Sequence, residues 1–295
     1  MSDTTESLRR KIAGAGDLRS VVRTMKAVAA SSIGQYENSV RALASYDHAV
    51  ELGLGVCFRE NGPAPLIEEH KTSRVGAVVF GSDQGLVGPF NDVIADFAVK
   101  TLAALPANAE KPEVWAVGER VHARLEDAGV PLKGLLSVPT SVQTITPLVG
   151  RILVQSQTRG KKEVTELYLF HNSPTPGAVY APVSQRLLPL DESWRHKLAE
   201  IPWPTRVLPE VIGGDTATLR ALIQGYLFVS VFRACAESLA SENASRLAAM
   251  QRADKNIGEL LEDLTRKFHR LRQSGIDEEL FDVVSGFEAL SEKKG

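Results

Sequence analysis

Apolar positions follow a helical pattern at both ends of this chain, and the pattern is broken in the middle. Near the C-terminus, steps of three and four residues connect one series: Leu219, Leu222, Tyr226, Val229, Arg233, Ala236, Ala240, Asn243, Leu247, Met250, Asp254, Ile257, Leu261, Leu264, Phe268 and Leu271. The series keeps one heptad register, which is typical of a helix that packs lengthwise against another helix. The pattern predicts a single long helix from Asp215 to about Leu290.

A second stripe of this kind starts close to the N-terminus. Its apolar and small members are Leu8, Ile12, Ala15, Val22, Met25, Ala29, Ser32, Tyr36, Val40, Leu43, Val50 and Leu54. Arg19 and Asp47 also fall in this seam. Glycines at 14, 16 and 34 each lower helix propensity by about 1 kcal/mol, so this helix needs a packing partner. We expect the partner to be the C-terminal helix of the same chain.

The distribution of proline divides the chain into three segments. All 15 prolines lie between Pro63 and Pro209. Because a proline inside a helix costs about 3 kcal/mol, only the two ends are free to form long unbroken helices. We therefore predict a helical segment over 1–62, a folded domain over 63–209 and a second helical segment over 210–295.

The middle segment alternates strand patterns with helix patterns. We predict strands over 75–80, 113–117, 164–170 and 179–187, and helices over 90–105, 119–128 and from Thr146-Pro147 to about Thr158. Alternation of this kind, with glycine-rich turns, indicates an α/β domain with a mostly parallel sheet.

Composition narrows the possible functions. The 34 basic and 36 acidic residues give a net charge of −2, which argues against a nucleic-acid binder with a large basic surface. The two cysteines, Cys57 and Cys235, lie far apart and form no CxxC motif, so we expect reduced thiols. No run of about 18 apolar residues is evident, and we expect any membrane role to come through a partner.

The polar members of the C-terminal seam allow two interpretations. Arg233, Asn243 and Asp254 stand where a stable homodimeric coiled coil has Leu or Ile. In one interpretation, other subunits surround much of this helix. In the other, the small and polar residues set the register of a two-helix pair.

The residues Ser82 to Asn91 follow a predicted strand and precede a predicted helix, a position where α/β domains bind phosphates. The segment has neither a P-loop lysine nor the GxGxxG spacing. We therefore interpret Ser82, Asp83, Gly85 and Gly88 as a structural turn. The six histidines form no HExxH motif, so we predict no metal, no cofactor and no active site.

Three stretches of the chain resemble the gamma subunit of rotary, F-type ATP synthases. The first is Arg23-Thr-Met-Lys-Ala-Val-Ala-Ala-Ser31, and the second is Ser82-Asp-Gln-Gly-Leu86. The third runs from Glu237 through Met250 and Asn256 to Arg272-Gln273 and Leu290. The likeness extends over essentially the whole chain and is most specific at the C-terminus.

The resemblance implies an antiparallel coiled coil of both termini with a central Rossmann-like α/β domain. It further implies a non-catalytic central rotor shaft, which couples transmembrane ion flow to ATP synthesis or hydrolysis by rotation. The partners implied are the alpha and beta subunits, the epsilon subunit and the membrane ring of c subunits. The implied location is peripheral, on the cytoplasmic face of the bacterial plasma membrane, with no membrane insertion. Ion-binding residues would lie in the ring, so the chain does not distinguish H⁺ from Na⁺.

The resemblance also implies contact residues. Arg272 and Gln273 match a pair that hydrogen-bonds a catalytic beta-subunit loop, and Met25 and Lys26 match positions near the rotor–stator contact. Met25 is equally a seam residue of the coiled coil. Departures from the family pattern, at Gly88-Pro89, Asp277 and Phe287, suggest a divergent, "alternate" bacterial branch.

Two other functions compete with the rotor hypothesis. A nucleotide-using α/β enzyme with coiled-coil arms would bind its cofactor near Gly85 and Gly88. A coiled-coil scaffold or chaperone unrelated to ATP synthesis would form a homodimer through the C-terminal helix, which the polar seam disfavours.

Overall fold

The computed structural model describes residues 4–61, 74–105, 112–156, 166–190, 192–207, 209–210 and 215–292. In this part of the chain the elements are helix α1 (Thr5–Asn61), strand β1 (Val75–Phe80), α2 (Phe90–Ala103), β2 (Glu113–Val117), α3 (Glu119–Asp127), β3 (Leu132–Leu136), a 3₁₀ turn (Val142–Thr144), α4 (Ile145–Ser156), β4 (Glu166–Thr175), β5 (Ala178–Leu188), α5 (Glu192–Ala199) and α6 (Asp215–Glu292). The predicted combination of long terminal helices and a central α/β domain is confirmed.

The fold consists of two compact units. Unit 1 contains Met1–Val28 and Leu247–Gly295, and unit 2 contains Ala29–Arg246. The prediction of three consecutive segments, 1–62, 63–209 and 210–295, concerns chain order and stays a prediction. Its proposed boundary between residues 62 and 63 lies outside the described residues.

In unit 2 a five-stranded sheet has the order β3-β2-β1-β4-β5. The pairs β1–β2, β2–β3 and β1–β4 are parallel, and only β4–β5 is antiparallel. Strand order reverses at β1, since β2 and β3 extend the sheet to one side and β4 to the other. In an open α/β sheet this reversal creates a crevice at the carboxyl ends of the strands, where ligands bind.

The two faces of the sheet pack against different helices. On one face, Ala77, Val79 and other small side chains meet the buried residues Ile94 of α2 and Leu125 of α3. On the opposite face, strand and α4 residues form a core with the middle of α6, whose buried members are Leu227, Val231, Phe232, Ala234, Cys235, Ala236, Leu239 and Ala240. Within unit 2, α6 is therefore a core helix of the α/β fold as well as the partner of α1.

The core also uses the apolar stretch of α6. Within residues Thr216–Ser285 an 18-residue window reaches a mean hydropathy of 1.3, and 44% of that window is buried inside the fold. By length and composition this is one candidate membrane span among the described residues, where the sequence predicted none. Helices that contribute to a protein core pass the same test, and this one lines the sheet.

Local structure differs from prediction at three places. Strand β3 was not predicted, because its sequence Leu-Lys-Gly-Leu-Leu contains a glycine and a lysine and lacks β-branched residues. Helix α5 was also missed, since it is only eight residues long. Helix α4 begins at Ile145, one residue before the predicted cap at Thr146, and follows a 3₁₀ turn closed by a capping box between Ser141 and Thr144.

Unit 1 is an antiparallel pair of helices formed by the start of α1 and the last part of α6. Its core consists of Ala15 and Val22 of α1 with Met250 and Ile257 of α6. Farther along, the Arg9 guanidinium lies 5.9 Å from the ring centre of Phe268. All these residues except Arg9 belong to the two predicted stripes, which confirms that the N-terminal helix packs against the C-terminal helix.

Candidate functional site

The predicted contact residues Met25 and Lys26 lie in the seam of unit 1. Met25 is half-buried and packs against the core of Ala15, Val22, Met250 and Ile257. Lys26 points toward Asp254 of α6, with 4.0 Å between its Nζ and the carboxylate Oδ2. The structure thus places Met25 as a seam residue, and it leaves the side chain of Lys26 41% exposed.

Asp254 is the focus of a charged cluster on this surface. Arg19 Nε donates to Asp254 Oδ1 at 2.9 Å, and Arg23 Nε lies 3.4 Å from the same oxygen. The hydrogen bond from Arg19 and the charge of Arg23 hold the pKa of Asp254 below its usual range. One carboxylate therefore faces three cations of α1, and the cluster carries an excess of positive charge.

The same arrangement appears with opposite polarity in unit 2. There Asp47 of α1 pairs with Arg233 of α6, and Asp47 is buried. Sequence analysis identified all four seam residues but did not pair them. In unit 1 the cation lies on α1 and the anion on α6, and in unit 2 the anion lies on α1 and the cation on α6. Each charged seam residue of α1 thus pairs with an opposite charge on α6. This pairing favours the interpretation in which polar residues set the register of a two-helix pair.

Arg272 and Gln273 lie on the exposed surface of α6. Neither forms a hydrogen bond or an ion pair with the residues that the structure describes. They are 22 residues beyond Met250, which packs with Met25, and a helix rises by about 33 Å over that distance. The structure therefore does not bring the two predicted contact pairs together into one site; they lie at different levels of unit 1.

Farther toward the C-terminus, α6 exposes large apolar side chains. They are Ile276, Leu280, Phe281, Val283 and Val284, with exposed fractions from 47% to 71%. Acidic residues at 277, 278, 279 and 282 are interspersed among them. An exposed apolar surface of this kind is typical of a contact with another protein.

In unit 2 the predicted structural turn is held by its own polar side chains. Ser82 Oγ accepts a hydrogen bond from Asn91 Nδ2 at 2.8 Å and donates to the Gln84 carbonyl at 2.9 Å. Asp83 Oδ1 accepts the backbone N–H of Glu119 at 3.0 Å, and Oδ2 accepts that of Val138 at 3.1 Å. Asp83 thus ties together the loops that follow β1, β2 and β3.

The position of Asp83 argues against phosphate binding at this turn. Glu119 is the first residue of α3, and the amino end of a helix attracts anions. The carboxylate of Asp83 already occupies that position. At the neighbouring crevice between β1 and β4, Ser245 of α6 donates to the Val87 carbonyl at 2.5 Å, and Asn172 donates to the Phe90 carbonyl at 3.0 Å. The Asp83 carboxylate thus takes the N–H donor at the start of α3 that an anion would use, and side chains of the protein also bond to two carbonyls of the adjoining turn.

The glycines of the turn have different roles. Gly88 has a positive φ of 57°, which favours glycine. Gly85 has no such requirement, and a Cβ there would lie 3.8 Å from Arg120. Leu86, between them, adopts a φ of 64° and is 61% exposed. Gly118 was not among the residues predicted for the turn. It lies so close to the loop after β1 that a Cβ on it would be 2.8 Å from the backbone of Ser82.

Comparisons with known proteins agree with this architecture. The family model described as ATP synthase matches residues 4–290. The chain is 28% identical over 298 residues to the ATP synthase gamma chain of Syntrophus aciditrophicus, covering 97% of this chain and 98% of that one. It is 26% identical over 296 residues to the gamma chain of Nitrosomonas eutropha, with coverages of 97% and 99%.

Solved structures show the same fold. A chain in the Euglena gracilis mitochondrial ATP synthase, in an OSCP/F1/c-ring structure, superposes with a TM-score of 0.65 at 16% identity and covers 99% of this chain and 96% of its own length. A chain in the central stalk and c-ring of the Tetrahymena thermophila enzyme gives 0.55 at 20% identity, over 79% of this chain and 99% of that one.

Proposed function

Because this chain belongs to the ATP synthase gamma chain family, we propose that it is the central rotor shaft of an F-type ATP synthase. The family match over residues 4–290 carries this proposal. The fold supports it, since both chain ends form long helices that pack antiparallel within each unit. Rotation of such a shaft couples ion flow through a membrane ring to ATP synthesis or hydrolysis in a ring of alpha and beta subunits.

The chain itself supplies no catalytic group in this proposal. The support comes from unit 2, where the carboxylate of Asp83 occupies the amino end of α3, a position at which an α/β fold can bind phosphate. The nucleotide-using enzyme is thereby disfavoured. The chain takes part in catalysis by changing the conformation of the nucleotide-binding subunits in turn, and the coupling is reciprocal, so that ATP hydrolysis drives the shaft in reverse.

We further propose that the exposed surface of unit 1 contacts the catalytic beta subunits. Lys26 and the neighbouring cations of α1 form one contact region, and Arg272 with Gln273 forms another. Met25 contributes mainly by packing beneath the first region. The free donors of Arg272 and Gln273 are available to a beta-subunit loop, because no described residue of this chain uses them.

The remaining partners are the epsilon subunit and the c ring, and the location is the cytoplasmic face of a bacterial plasma membrane. The resemblance to the gamma chain family supports these proposals, and the similar chain of Tetrahymena thermophila belongs to a central stalk with a c-ring. Ion movement supplies about 2.3 kcal/mol per charge per 100 mV. Several ions must therefore cross for each ATP, and the torque from these steps must pass through this chain.

The test of the proposal is assembly. The chain is co-expressed with candidate alpha and beta subunits and the product is weighed by native mass spectrometry. The proposal expects one copy of this chain with three alpha and three beta subunits. A free monomer, or a homodimer that ignores alpha and beta, would contradict it and would favour a coiled-coil scaffold.

A further inference from the structure

Unit 2 contains a cavity that the rotor function does not use. Its volume is about 240 Å³, and it lies between α1, α6 and the loops that follow β1 and β3. Ser32 and Tyr36 of α1 form one wall, and Leu239, Glu242 and Arg246 of α6 form another. The cavity lies on the carboxyl side of the sheet, where doubly wound folds bind small molecules.

The cavity is lined by two carboxylates and one cation. Arg246 Nη2 donates to Glu242 Oε1 at 2.6 Å, and both side chains are largely buried, with exposed fractions of 13% and 7%. Asp83 also faces the cavity; its two oxygens accept backbone N–H groups, and no side-chain cation of the described residues forms an ion pair with it. Burial raises the pKa of Glu242, and the charge of Asp83 raises it further in spite of Arg246. The lining lacks one positive charge.

Tyr36 lines the cavity with its phenol ring and hydroxyl. The residue is 5% exposed, and its hydroxyl forms no hydrogen bond with any residue of the described ranges. Burial and the negative charge of Glu242 raise the pKa of Tyr36 while Arg246 lowers it, so the phenol faces the same charged pair. Since Tyr36 lines the cavity, this oxygen is able to accept a hydrogen bond from a donor inside it.

We propose that this cavity binds a primary ammonium group carried on a short alkyl chain. An ammonium group brings one positive charge and three donors, which match the charge deficit and the oxygens of Tyr36, Ser32 and Glu242. The face of the tyrosine ring attracts cations as well. The alkyl chain would pack on Leu239, Val138 and Pro139, which supply the apolar part of the lining. Two sources carry this chemistry, namely a free aliphatic amine and the lysine side chain of a partner subunit.

Saturation-transfer NMR with n-butylammonium at pH 7 tests the proposal, since the method detects weak ligands of large proteins. The probe is added to the purified full chain and, separately, to the chain assembled with alpha and beta subunits. Its neutral counterpart, 1-butanol, is measured alongside. We expect the butyl protons of the ammonium ion to be saturated by the full chain, with the alcohol bound at least about tenfold more weakly, as for a charge-assisted contact.

Variants distinguish this cavity from other surfaces. Tyr36→Phe removes only the hydroxyl and should weaken butylammonium binding several-fold, and Glu242→Gln should weaken it about tenfold. Tyr46→Phe is the matched control, because Tyr46 lies on the same helix outside the cavity and is 51% exposed. Should Glu242→Gln fail to fold, Ser32→Ala removes a lining hydroxyl at lower structural cost.

Each outcome has one meaning. Binding to the free chain but not to the assembled complex assigns the site to a partner's lysine, and binding to both assigns it to a free amine. The proposal is overturned if the free chain does not bind the probe, if 1-butanol binds as tightly, or if Tyr36→Phe behaves like Tyr46→Phe. None of these results depends on the rotor assignment, which the subunit stoichiometry tests separately.

Discussion

Arg19 Nε and Asp254 Oδ1 are 2.9 Å apart across the two helices of unit 1, although 235 positions separate the residues in the chain. Both are polar members of stripes that are mainly apolar. A complementary pair inside a helix seam favours one alignment over those shifted by a heptad, because a shift leaves each charge without its partner. The pair therefore indicates how this seam specifies its register.

Replacing Asp254 by Asn should destabilise unit 1, because Arg19, Arg23 and Lys26 then face one another without a carboxylate. We expect a lower thermal midpoint for the assembled complex, and a difference from wild type that shrinks at high salt as the repulsion is screened. Asp263→Asn is the control, since among the described residues the ion pairs of Asp263 are with Arg266 and Lys267 of its own helix. Equal midpoints for the two variants would show that the ion pairs of Asp254 do not stabilise unit 1.

The double variant Arg272→Glu, Gln273→Ala should lower ATP hydrolysis by the assembled complex without unfolding the chain. Both side chains are exposed and unbonded within the described residues, so their loss removes no contact inside unit 1. Turnover is measured on the purified complex, with circular dichroism as the check on folding. Arg270→Glu, another exposed position of α6, is the control. Unchanged turnover of the double variant would remove this contact from the proposed function.

A proline at Leu261 should uncouple or prevent assembly of the complex. Leu261 packs against the core of unit 1, and a proline in a helix interior costs about 3 kcal/mol or more while bending the helix. ATP-driven ion pumping into membrane vesicles is the measurement. Leu261→Ala keeps the helix and loses only side-chain packing, so it should pump. Normal pumping by the proline variant would contradict a continuous shaft.

Asp83→Ala should reduce the stability of unit 2 by about 2–4 kcal/mol, because two backbone N–H groups lose the same charged acceptor. Asp83→Asn keeps one acceptor oxygen and should cost less. Guanidinium unfolding of the full chain measures both. The control is Asp96→Asn, which removes an exposed carboxylate of α2 that lies near Arg124. A loss no greater than that of the control would mean that the three loops are held by other contacts.

Acid should weaken the link between β4 and α6. Burial alone would raise the pKa of Glu237, but hydrogen bonds from His171 and Ser173 more than offset it, and the pKa lies below its ordinary value of 4.5. A lowered pKa in the folded state contributes stability above pH 4.5 that is lost as pH falls through the folded pKa.

Glu237→Gln tests this dependence. The free energy of unfolding of wild type should exceed that of the variant at pH 6, and the gap should narrow as the pH falls below about 4.5. Glu259→Gln, on the exposed surface of the same helix, is the control. If the difference in free energy of unfolding between wild type and Glu237→Gln stays constant with pH, Glu237 stabilises the fold through packing and not through its charge.

The elements that follow a periodic sequence pattern could be predicted, whereas contacts between residues far apart in the chain could not. Long periodic stripes, the absence of proline from both ends and strand–helix alternation predicted α1, α6 and four of the five strands, although β4 extends five residues beyond its predicted end. Strand β3 escaped because its neighbours in the sheet stabilise it and its own residues do not. The turn at Ser82 was identified, but its three-loop connection through Asp83 depends on residues 36 and 55 positions away.

The polar positions illustrate the same limit. Arg19, Asp47, Arg233 and Asp254 were recognised as seam residues, yet their pairing follows from the alignment of two helices, which a single stripe does not fix. A usable signal was present, since each helix has its seam cation before its seam anion along the chain. An antiparallel pair of such helices places each cation opposite an anion. The cavity beside Tyr36 left no such signal, because its lining comes from four separate parts of the chain.

In unit 2, Val231, Phe232, Cys235 and Leu239 of α6 are packed into the core of the sheet. Burial of each large apolar side chain is worth about 1.5–3 kcal/mol, so the sheet does not slide or pivot on this helix without opening its own core. The packed side chains fix α6 to the sheet, so the two turn together. A force applied to the outer loops of the sheet is therefore transmitted directly to α6 through this core. Unit 2 needs no further element to pass torque to the helix.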